Sequence, residues 1–187
     1  MFTFFRSFLR HPKEVGAFFA TGGSYSKLAC KQVDWSRVKN IVELGAGNGS
    51  VTKYIVRNLS KGQQLFVFEI DPDLFKQLEK SIKHPQVILI HDTAVNLPMH
   101  LNKYGVTEVE VVFSEIPMVS LPKAVGDAII QAVKKVMAPG ALYLQIQYTL
   151  LSVKKLKKLF KSVETKFTLF NLPPAFLHIC KKELGVN

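Results

Sequence analysis

The feature that most limits the fold of this chain is an alternation, from residue 40 onward, of short β-prone runs with amphipathic stretches of helical period. Strands separated by helices pair in parallel, because each crossover returns the chain to the same edge of the sheet. Seven strands are predicted, at residues 40–44, 65–69, 87–91, 109–113, 141–148, 165–170 and 175–181. Helices are predicted near residues 50–59, 72–83, 94–103, 121–137 and 151–162. The expected fold class is therefore α/β.

Proline and glycine mark two of these boundaries. Pro72 follows Asp71, where a helix can begin, and Ala138-Pro-Gly140 is expected to end the long fourth helix before its strand. A chain of 187 residues is about the size of one ordinary domain. We therefore expect one domain over residues 1–187.

Cysteine usage and hydropathy argue against several classes of protein. Cys30 and Cys180 have no CxxC spacing and no histidines clustered beside them, so neither a metal site nor a disulfide framework is expected. No apolar stretch approaches the roughly 18 residues of a membrane-spanning helix, and the N-terminus lacks a secretory signal. The expected location is the cytoplasm.

The net charge of +11 is confined to the two ends of the chain. Residues 1–40 carry seven Lys and Arg against two acids, residues 41–150 carry ten against ten, and residues 151–187 carry eight against two. A neutral middle with basic ends predicts a ligand-binding body whose ends face an anionic partner, either nucleic acid or an acidic membrane surface.

A glycine-rich segment, Glu43-Leu-Gly-Ala-Gly-Asn-Gly49, joins the first strand to the first helix. Its three glycines let the backbone turn sharply and approach a ligand without Cβ obstruction. Such a segment is also found as a plain tight turn and in folds that bind other nucleotides. Glu43 favours a methionine ammonium group over a pyrophosphate, because a pyrophosphate needs positive potential.

Acidic residues also follow the second and third strands. Glu69 lies about twenty residues beyond the glycine segment, where a carboxylate can bind ribose hydroxyls. Asp71 competes for that role, but Pro72 after it favours a helix N-cap. Asp92 follows the third strand and can accept a hydrogen bond from an adenine amino group, with helix capping as the alternative.

This succession of motifs resembles the class I S-adenosylmethionine (SAM) dependent methyltransferases from residue 40 to the end of the chain. The segment Phe113-Ser-Glu-Ile-Pro117, after the fourth strand, falls where that family has an active-site motif. The resemblance implies SAM as cofactor and S-adenosylhomocysteine as product. It also implies a Rossmann-like, seven-stranded, mostly parallel sheet with helices on both faces and an antiparallel last strand. The cofactor-binding residues it implies are Glu43, Gly45, Ala46, Gly47, Gly49, Glu69, Ile70, Asp92, Thr93 and Ser114.

Both ends of the chain carry amphipathic segments. In a helix over residues 1–11, one arc is apolar and the other holds the two arginines, as in segments that lie in a membrane interface. Its apolar residues are Phe2, Phe4, Phe5, Phe8 and Leu9. Packing of this helix on the domain's own core is the alternative. Near the other end, Lys154, Lys157, Lys158 and Lys161 share a helix face that is either solvated or turned to anionic lipid.

The termini carry a more specific resemblance. Residues 8–27 and 170–176 are similar to the N-terminal and C-terminal signatures of bacterial phospholipid N-methyltransferases, which convert phosphatidylethanolamine stepwise to phosphatidylcholine. Residues 114–117 and Leu121-Pro122 are similar to the same group, whereas residues 17–23 depart from its Pro-Ser-Ser type turn. The resemblance implies an N-terminal membrane or substrate cap over residues 1–35, a SAM-binding core over residues 36–187, and peripheral association with the inner membrane face.

We therefore predict that Tyr25, Glu115 and Asn171 are active-site residues, and that Arg10, Lys13 and Lys27 bind lipid phosphate. Each of these residues has a structural alternative. Tyr25 can be a buried core tyrosine, Glu115 a solvated or helix-capping acid at a strand end, and Asn171 a turn-stabilising residue. The three basic residues can be ordinary surface charges. The rival functions are an RNA adenine N-methyltransferase and a catalytically silent SAM-binding protein at the membrane. Ser114-Glu-Ile-Pro-Met118 argues against the first, because RNA adenine dimethylases have an Asn and an aromatic residue in this segment. Oligomeric state is left open by the sequence.

Overall fold

A computed structural model describes residues 23–168 and 174–184. In these ranges seven strands form one mixed sheet in the order β3-β2-β1-β4-β5-β7-β6. The strands are β1 Asn40–Leu44, β2 Gln64–Phe68, β3 Val87–Ile90, β4 Val109–Ser114, β5 Met137–Gln147, β6 Ser162–Thr168 and β7 Ala175–Lys181. The α-helices described are α1 Gly23–Cys30, α2 Ser50–Val56, α3 Pro72–Ser81, α4 Leu97–Lys103, α5 Lys123–Val136 and α6 Val153–Leu159.

The sheet has the predicted Rossmann-like topology. Strands β1 to β5 pair in parallel, whereas β7 pairs antiparallel with both β5 and β6. The predicted fold class, with seven strands and an antiparallel last strand, is therefore confirmed. Since β1 to β4 all run the same way, their carboxyl ends meet at one edge of the sheet, which we call the carboxyl edge.

Several element boundaries differ from prediction, most clearly at β5 and β6, and one helix was not predicted. Ala138-Pro-Gly140 does not separate helix from strand, because β5 begins at Met137, directly after α5. Met137 pairs with Val109 of β4, and the next pair is Leu142 with Val111, so β5 contains a bulge between Met137 and Leu142. Pro139 lies in this bulge, where the ladder does not need the N–H that proline lacks. Strand β6 begins three residues earlier than predicted, at Ser162. Helix α1 was not predicted, because its eight residues show no strong apolar period.

The sheet buries a separate apolar layer on each face. Helices α1, α2 and α3 cover one face with side chains such as Ala29, Ile55 and Leu78. Helices α4, α5 and α6 cover the other with side chains such as Leu101 and Val133. Each fully buried aliphatic side chain contributes about 1.5–3 kcal/mol to folding. The apolar strands β1, β2 and β4 are consequently held rigidly between two layers, and their carboxyl ends form a fixed platform.

Several predictions fall on residues outside the described ranges, namely the amphipathic helix over residues 1–11, Arg10, Lys13 and Asn171. On α6, Lys154, Lys157 and Lys158 are exposed while Leu156 is buried, so this helix is amphipathic as predicted. The fourth predicted lysine, Lys161, lies beyond the end of the helix at Leu159. No helix within residues 23–168 and 174–184 is long and apolar enough to cross a membrane. The same residues contain no cluster of three histidine, cysteine or acidic side chains that could hold a metal ion.

Candidate functional site

The turn after β1 is built by glycines whose backbones lie in the left-handed region. Gly45, Gly47 and Gly49 have φ angles of 75°, 57° and 79°, which side-chain-bearing residues rarely adopt. The amides of Gly45 and Ala46 donate to Phe68 O at 2.8 and 3.2 Å and so join the turn to β2. A Cβ on Gly49 would approach Leu78 Cδ2 to 2.8 Å, whereas one on Gly47 would meet nothing within 4 Å. Gly47 therefore faces open space at the carboxyl edge.

Glu69, directly after β2, is connected to this turn. Its Oε2 accepts a hydrogen bond from Gly47 N at 2.7 Å, and its Oε1 accepts one from Asp71 N at 2.8 Å. Burial raises its pKa, and the two backbone amides act against that rise. Asp71 itself accepts hydrogen bonds from Asp73 N and Leu74 N, so the prediction that it caps α3 is confirmed. Ile70, between the two acids, is half-buried.

Asp92 lies beyond the end of β3 and has three neighbours. Its Oδ2 contacts His100 Nε2 at 2.7 Å, its Oδ1 accepts from Thr93 N at 2.7 Å, and Asn96 Nδ2 donates to both oxygens. Partial burial alone would raise its pKa, but the hydrogen bonds from His100 and Asn96 lower it, so Asp92 is a stable carboxylate. The adjacent 3₁₀ turn is capped by Thr93, whose hydroxyl accepts from Val95 N.

A second acidic group is fully enclosed beneath the glycine turn. Glu43 and Tyr25 are inaccessible to solvent and Glu115 is 6% exposed. Glu115 continues β4 beside β1, with its amide donating to Leu44 O at 3.0 Å. Both carboxylate oxygens of Glu43, Oε1 of Glu115 and the Tyr25 hydroxyl have no hydrogen-bond partner among the described residues. Buried polar atoms are normally paired, so this cluster requires a ligand or water to satisfy it.

The pKa shifts in this acidic cluster have one main cause. Burial raises the pKa of Glu43 to about 8, although the nearby Thr52 and Glu115 side chains act to lower it. Burial, and then the charge of Glu43, raise the pKa of Glu115 well above its usual range. Burial, and then the charge of Glu115, do the same for Tyr25. Two adjacent carboxyl groups cannot both ionise cheaply in an enclosed space. A bound cation would reverse this penalty.

The remaining predicted residues are dispersed. Ser114 is buried at the end of β4, in register with Leu44 and Gln145. Leu44 packs with the α4–α6 layer, so Ser114 lies on the sheet face opposite Glu43. Ala46 is buried within the turn. Lys27 is exposed on α1, two residues after the buried Tyr25.

Sequence reasoning missed His100 and Asn96. Asn96 lies four residues and His100 eight residues after Asp92, and both fall in the stretch predicted to be helical. That spacing places two side chains on the same side of a helix, facing back toward the strand end. The signal was therefore present in the helical period, but His and Asn at such positions are usually ordinary surface residues.

The comparisons with known proteins agree with this geometry. Residues 17–164, most of the chain, match the sequence model of the ribosomal RNA adenine dimethylase family. The chain belongs to this family. A curated relative in Singulisphaera acidiphila, an ornithine lipid N-methyltransferase, is 26% identical over 182 residues, covering 96% of this chain and 95% of the relative. This relative, which aligns with nearly the whole chain, is thus named for a lipid acceptor.

Two solved structures share the fold of this dimethylase-family chain. An O-methyltransferase family protein from Burkholderia thailandensis superposes with a TM-score of 0.65 at 10% identity, over 86% of this chain and 56% of that protein. The chain thus spans little more than half the length of that structure. An rRNA methylase from Streptococcus thermophilus gives a TM-score of 0.61 at 16% identity, over 84% of this chain and 93% of that protein. The chain is a class I SAM-dependent methyltransferase, with S-adenosylhomocysteine as its product.

The residues at the carboxyl edge fit SAM as the methyl donor. The open backbone at Gly47 admits a ligand, and the orphaned carboxyl group of Glu43 suits a methionine ammonium group. Glu69 and Asp92 are acids at the ends of β2 and β3, where hydroxyl and amino donors of a nucleoside can be accepted. No described residue blocks the approach to Gly47 within 4 Å of a Cβ.

Proposed function

We propose that this chain methylates the amino group of a membrane lipid head group, with SAM as donor and phosphatidylethanolamine as the acceptor that the terminal signatures favour. The observation that carries the proposal is the buried cluster of Glu43, Glu115 and Tyr25, in which both Glu43 oxygens, Oε1 of Glu115 and the Tyr25 hydroxyl have no hydrogen-bond partner among the described residues. No ion pair joins either carboxylate to a described Lys, Arg or His. The cluster holds more acid than one methionine ammonium group requires, so the second carboxyl group suits a second amine.

The cofactor side of the site uses the acids nearest the glycine turn. Glu43 would pair with the methionine ammonium group, the backbone of Gly45-Ala-Gly47 and Gly49 would allow close approach, and Glu69 would bind the ribose hydroxyls. Asp92 would accept a hydrogen bond from the adenine amino group, and Ile70, Thr93 and Ser114 would complete the cofactor side of the site. When bound, SAM supplies an electrophilic methyl carbon on a sulfonium.

The acceptor side uses Glu115 and Tyr25. A lipid ammonium group must lose a proton before its nitrogen lone pair can attack a methyl carbon. Glu115 takes that proton once the positive charge of a bound ammonium group has favoured its ionised form, which burial alone disfavours. The amine nitrogen would bond to the methyl carbon that SAM supplies, and the electron pair of the broken C–S bond would stay on sulfur in S-adenosylhomocysteine. The Tyr25 ring lies against the cationic nitrogen that results. Alignment of the two reactants supplies much of the acceleration.

The basic ends of the chain complete the proposal. Lys27 on α1, together with Arg10, Lys13 and Asn171, contacts the head group and its phosphate. Residues 1–35 then form a cap that brings the lipid to the core over residues 36–187, and the enzyme works peripherally at the inner membrane face. The name of the Singulisphaera relative supports an amino-bearing lipid as acceptor, and ornithine lipid is the second candidate for that lipid.

RNA adenine methylation is the second candidate function, because the family model carries that description. The position where RNA adenine dimethylases read the target amine is occupied here by Ser114, Glu115 and Met118. We therefore place RNA second.

One assay separates these functions. The full chain is incubated with methyl-tritiated SAM and, in parallel, with vesicles containing phosphatidylethanolamine, vesicles containing ornithine lipid, and ribosomal RNA. Label in a lipid extract supports the proposal and identifies the head group. Label in RNA alone contradicts it, and binding of S-adenosylhomocysteine without transfer to any acceptor indicates a silent protein.

The role of Glu115 is tested by Glu115→Gln. We expect kcat to fall by about 10²–10⁴-fold, because the base is lost, while S-adenosylhomocysteine affinity stays within a few fold. The matched control is Glu108→Gln, an exposed acid just before β4, which should retain wild-type kcat. An unchanged kcat in Glu115→Gln would remove this residue from the proposed mechanism.

A further inference from the structure

Four of the large apolar side chains that the described residues expose lie at the carboxyl edge of the sheet. Seven large hydrophobic residues of the described ranges are more than two-fifths exposed, namely Met99, Tyr104, Val119, Leu150, Leu151, Phe167 and Leu184. Leu151 is the most exposed at 78%, and its neighbour Leu150 is 53% exposed. Single exposed hydrophobic residues are ordinary, but adjacent ones at a loop tip form a patch that water disfavours.

Four of the seven lie at the carboxyl edge, although they come from three separate segments. Val119 follows β4, and Leu150 and Leu151 follow β5. Strand β6 runs parallel to β5, since both are antiparallel to β7, so Phe167 near the end of β6 lies at the same edge. We call these four residues the apolar rim. Phe167 also packs against Phe176, with ring centroids 5.0 Å apart.

The apolar rim borders the methyl-transfer site. The glycine turn, Asp92 and Glu115 follow β1, β3 and β4 at this same edge. A partner surface that contacts the apolar rim would therefore lie opposite the entrance of the methyl-transfer site. Leu184, by contrast, follows β7 at the opposite edge and lies close to Gly140 there.

Positive charge lies next to the apolar rim. Helix α6 begins two residues after Leu151 and carries Lys154, Lys157 and Lys158 on its exposed side. Lys155 is engaged by Asp127, but no ion pair joins the other three lysines to a described carboxylate. Apolar residues beside unpaired lysines are complementary to an anionic bilayer, in which phosphate groups overlie acyl chains.

We propose that the apolar rim and the lysines of α6 dock this protein on an anionic membrane, with Leu150 and Leu151 entering the interface and Lys154 and Lys157 facing lipid phosphates. The inference rests on the proposed lipid methylation and extends it, because it names the surface of the folded domain that meets the bilayer. Docking in this orientation delivers a lipid head group to the carboxyl edge, where Glu115 and Tyr25 lie.

The leucines are tested by sedimentation with vesicles of phosphatidylcholine and phosphatidylglycerol. The double variant Leu150→Ser/Leu151→Ser should partition about tenfold or more weakly than the wild-type chain, because two apolar side chains no longer leave water. The matched control is Leu184→Ser, which removes a similarly exposed leucine at the opposite edge and should partition normally. Equal partitioning of the double variant and the wild type would overturn the proposal.

The lysines are tested by Lys154→Gln/Lys157→Gln. Partitioning should weaken by about fivefold per lysine on vesicles with phosphatidylglycerol, and the loss should vanish in high salt. The control pair is Lys76→Gln/Lys80→Gln on α3, two exposed lysines on the other face of the sheet. An equal loss in both pairs would show that net charge alone drives binding and would contradict a defined docking surface.

Two further measurements separate this inference from the proposed function. Methylation of a short-chain, monomerically dispersed aminolipid should be normal in the leucine variant, while methylation of the vesicle-bound lipid falls. Absence of methylation of either lipid by the wild-type chain would refute the proposed function instead. The thermal midpoint of the leucine variant should match that of wild type, since the side chains are exposed. A lowered midpoint would show that another part of the chain covers them and would overturn the docking surface.

Discussion

The substitution Glu43→Gln tests whether the acidic cluster is built for a cation. Burial raises the pKa of Glu43 from 4.5 to about 8 in the folded chain. A carboxyl group whose pKa is higher in the folded chain than in the unfolded chain contributes its full stabilisation at pH values below its unfolded-state pKa. That stabilisation is lost as the pH rises toward its folded-state pKa. The ligand-free protein should therefore become less stable between about pH 4.5 and pH 8, because folding must hold a proton that the unfolded chain has released.

The magnitude follows from the two pKa values. At pH 7 the difference between pH and the unfolded pKa corresponds to about 3 kcal/mol, and above pH 8 the full shift corresponds to about 5 kcal/mol. Because the titrations of Glu43 and Glu115 are coupled, we expect the part that depends on Glu43 to be about 2–4 kcal/mol. The glutamine variant cannot ionise at position 43, so its stability should fall less steeply with pH, although burial still raises the pKa of Glu115 and leaves part of the slope.

The assay is urea denaturation of the ligand-free chain at several pH values from 5 to 8.5. The free energy of unfolding of wild type should fall more steeply with pH than that of Glu43→Gln, and Glu108→Gln should keep the wild-type slope. SAM should restore stability to wild type at pH 8 and not to Glu43→Gln, because the ammonium group needs a carboxylate. Identical slopes in wild type and Glu43→Gln would refute the reasoning.

Three further predictions concern the cofactor edge. Gly49→Ala should lower the free energy of unfolding by about 1–3 kcal/mol in urea titration, because its φ of 79° is strained and its Cβ would press on Leu78; an unchanged midpoint would contradict this. Asp71→Ala should lower the free energy of unfolding by about 1 kcal/mol, because the α3 cap is lost, and should leave S-adenosylhomocysteine affinity intact by calorimetry. Glu69→Gln should weaken that affinity at least tenfold. Equal affinity in the two variants would contradict the binding of ribose hydroxyls by Glu69. His100→Phe should weaken S-adenosylhomocysteine binding by about threefold to tenfold by freeing Asp92, and His100→Gln, which can still donate to Asp92, should recover most of it; equal loss in both variants would indicate packing instead.

Local sequence signals were sufficient to predict many of the strands and helices. Strands β1 and β7 have the predicted bounds because their apolar runs end at polar or glycine residues, and Asp71-Pro72 begins α3 because side-chain capping and proline geometry act within four residues. The bulge in β5 was not predictable in this way. Pro139 and Gly140 read locally as a break, and pairing with β4 and β7 overrode that preference.

The candidate site also contains residues that local sequence signals predict and residues whose position depends on tertiary packing. Acids at strand ends could be placed from their position in the sequence, since parallel strands bring their carboxyl ends together. The enclosure of Tyr25 with Glu43 could not, because it depends on how the unpredicted α1 packs against α2 and β7. The apolar rim was equally hidden, because Val119, Leu150 and Phe167 are distant in sequence and meet only through the order of strands.

The position of β7 between β5 and β6 also affects how the chain assembles during synthesis. Strand β6 pairs with β7 and with no other described strand, so it cannot join the sheet when it leaves the ribosome. Until residues 175–181 emerge, the long apolar edge of β5 stays unpaired, and such edges recruit other chains. Exposed Lys157 and Lys158 on the intervening α6 place charge beside that edge during this interval. A chain that lacks β7 therefore leaves the edge of β5 open to pairing with a strand of another chain.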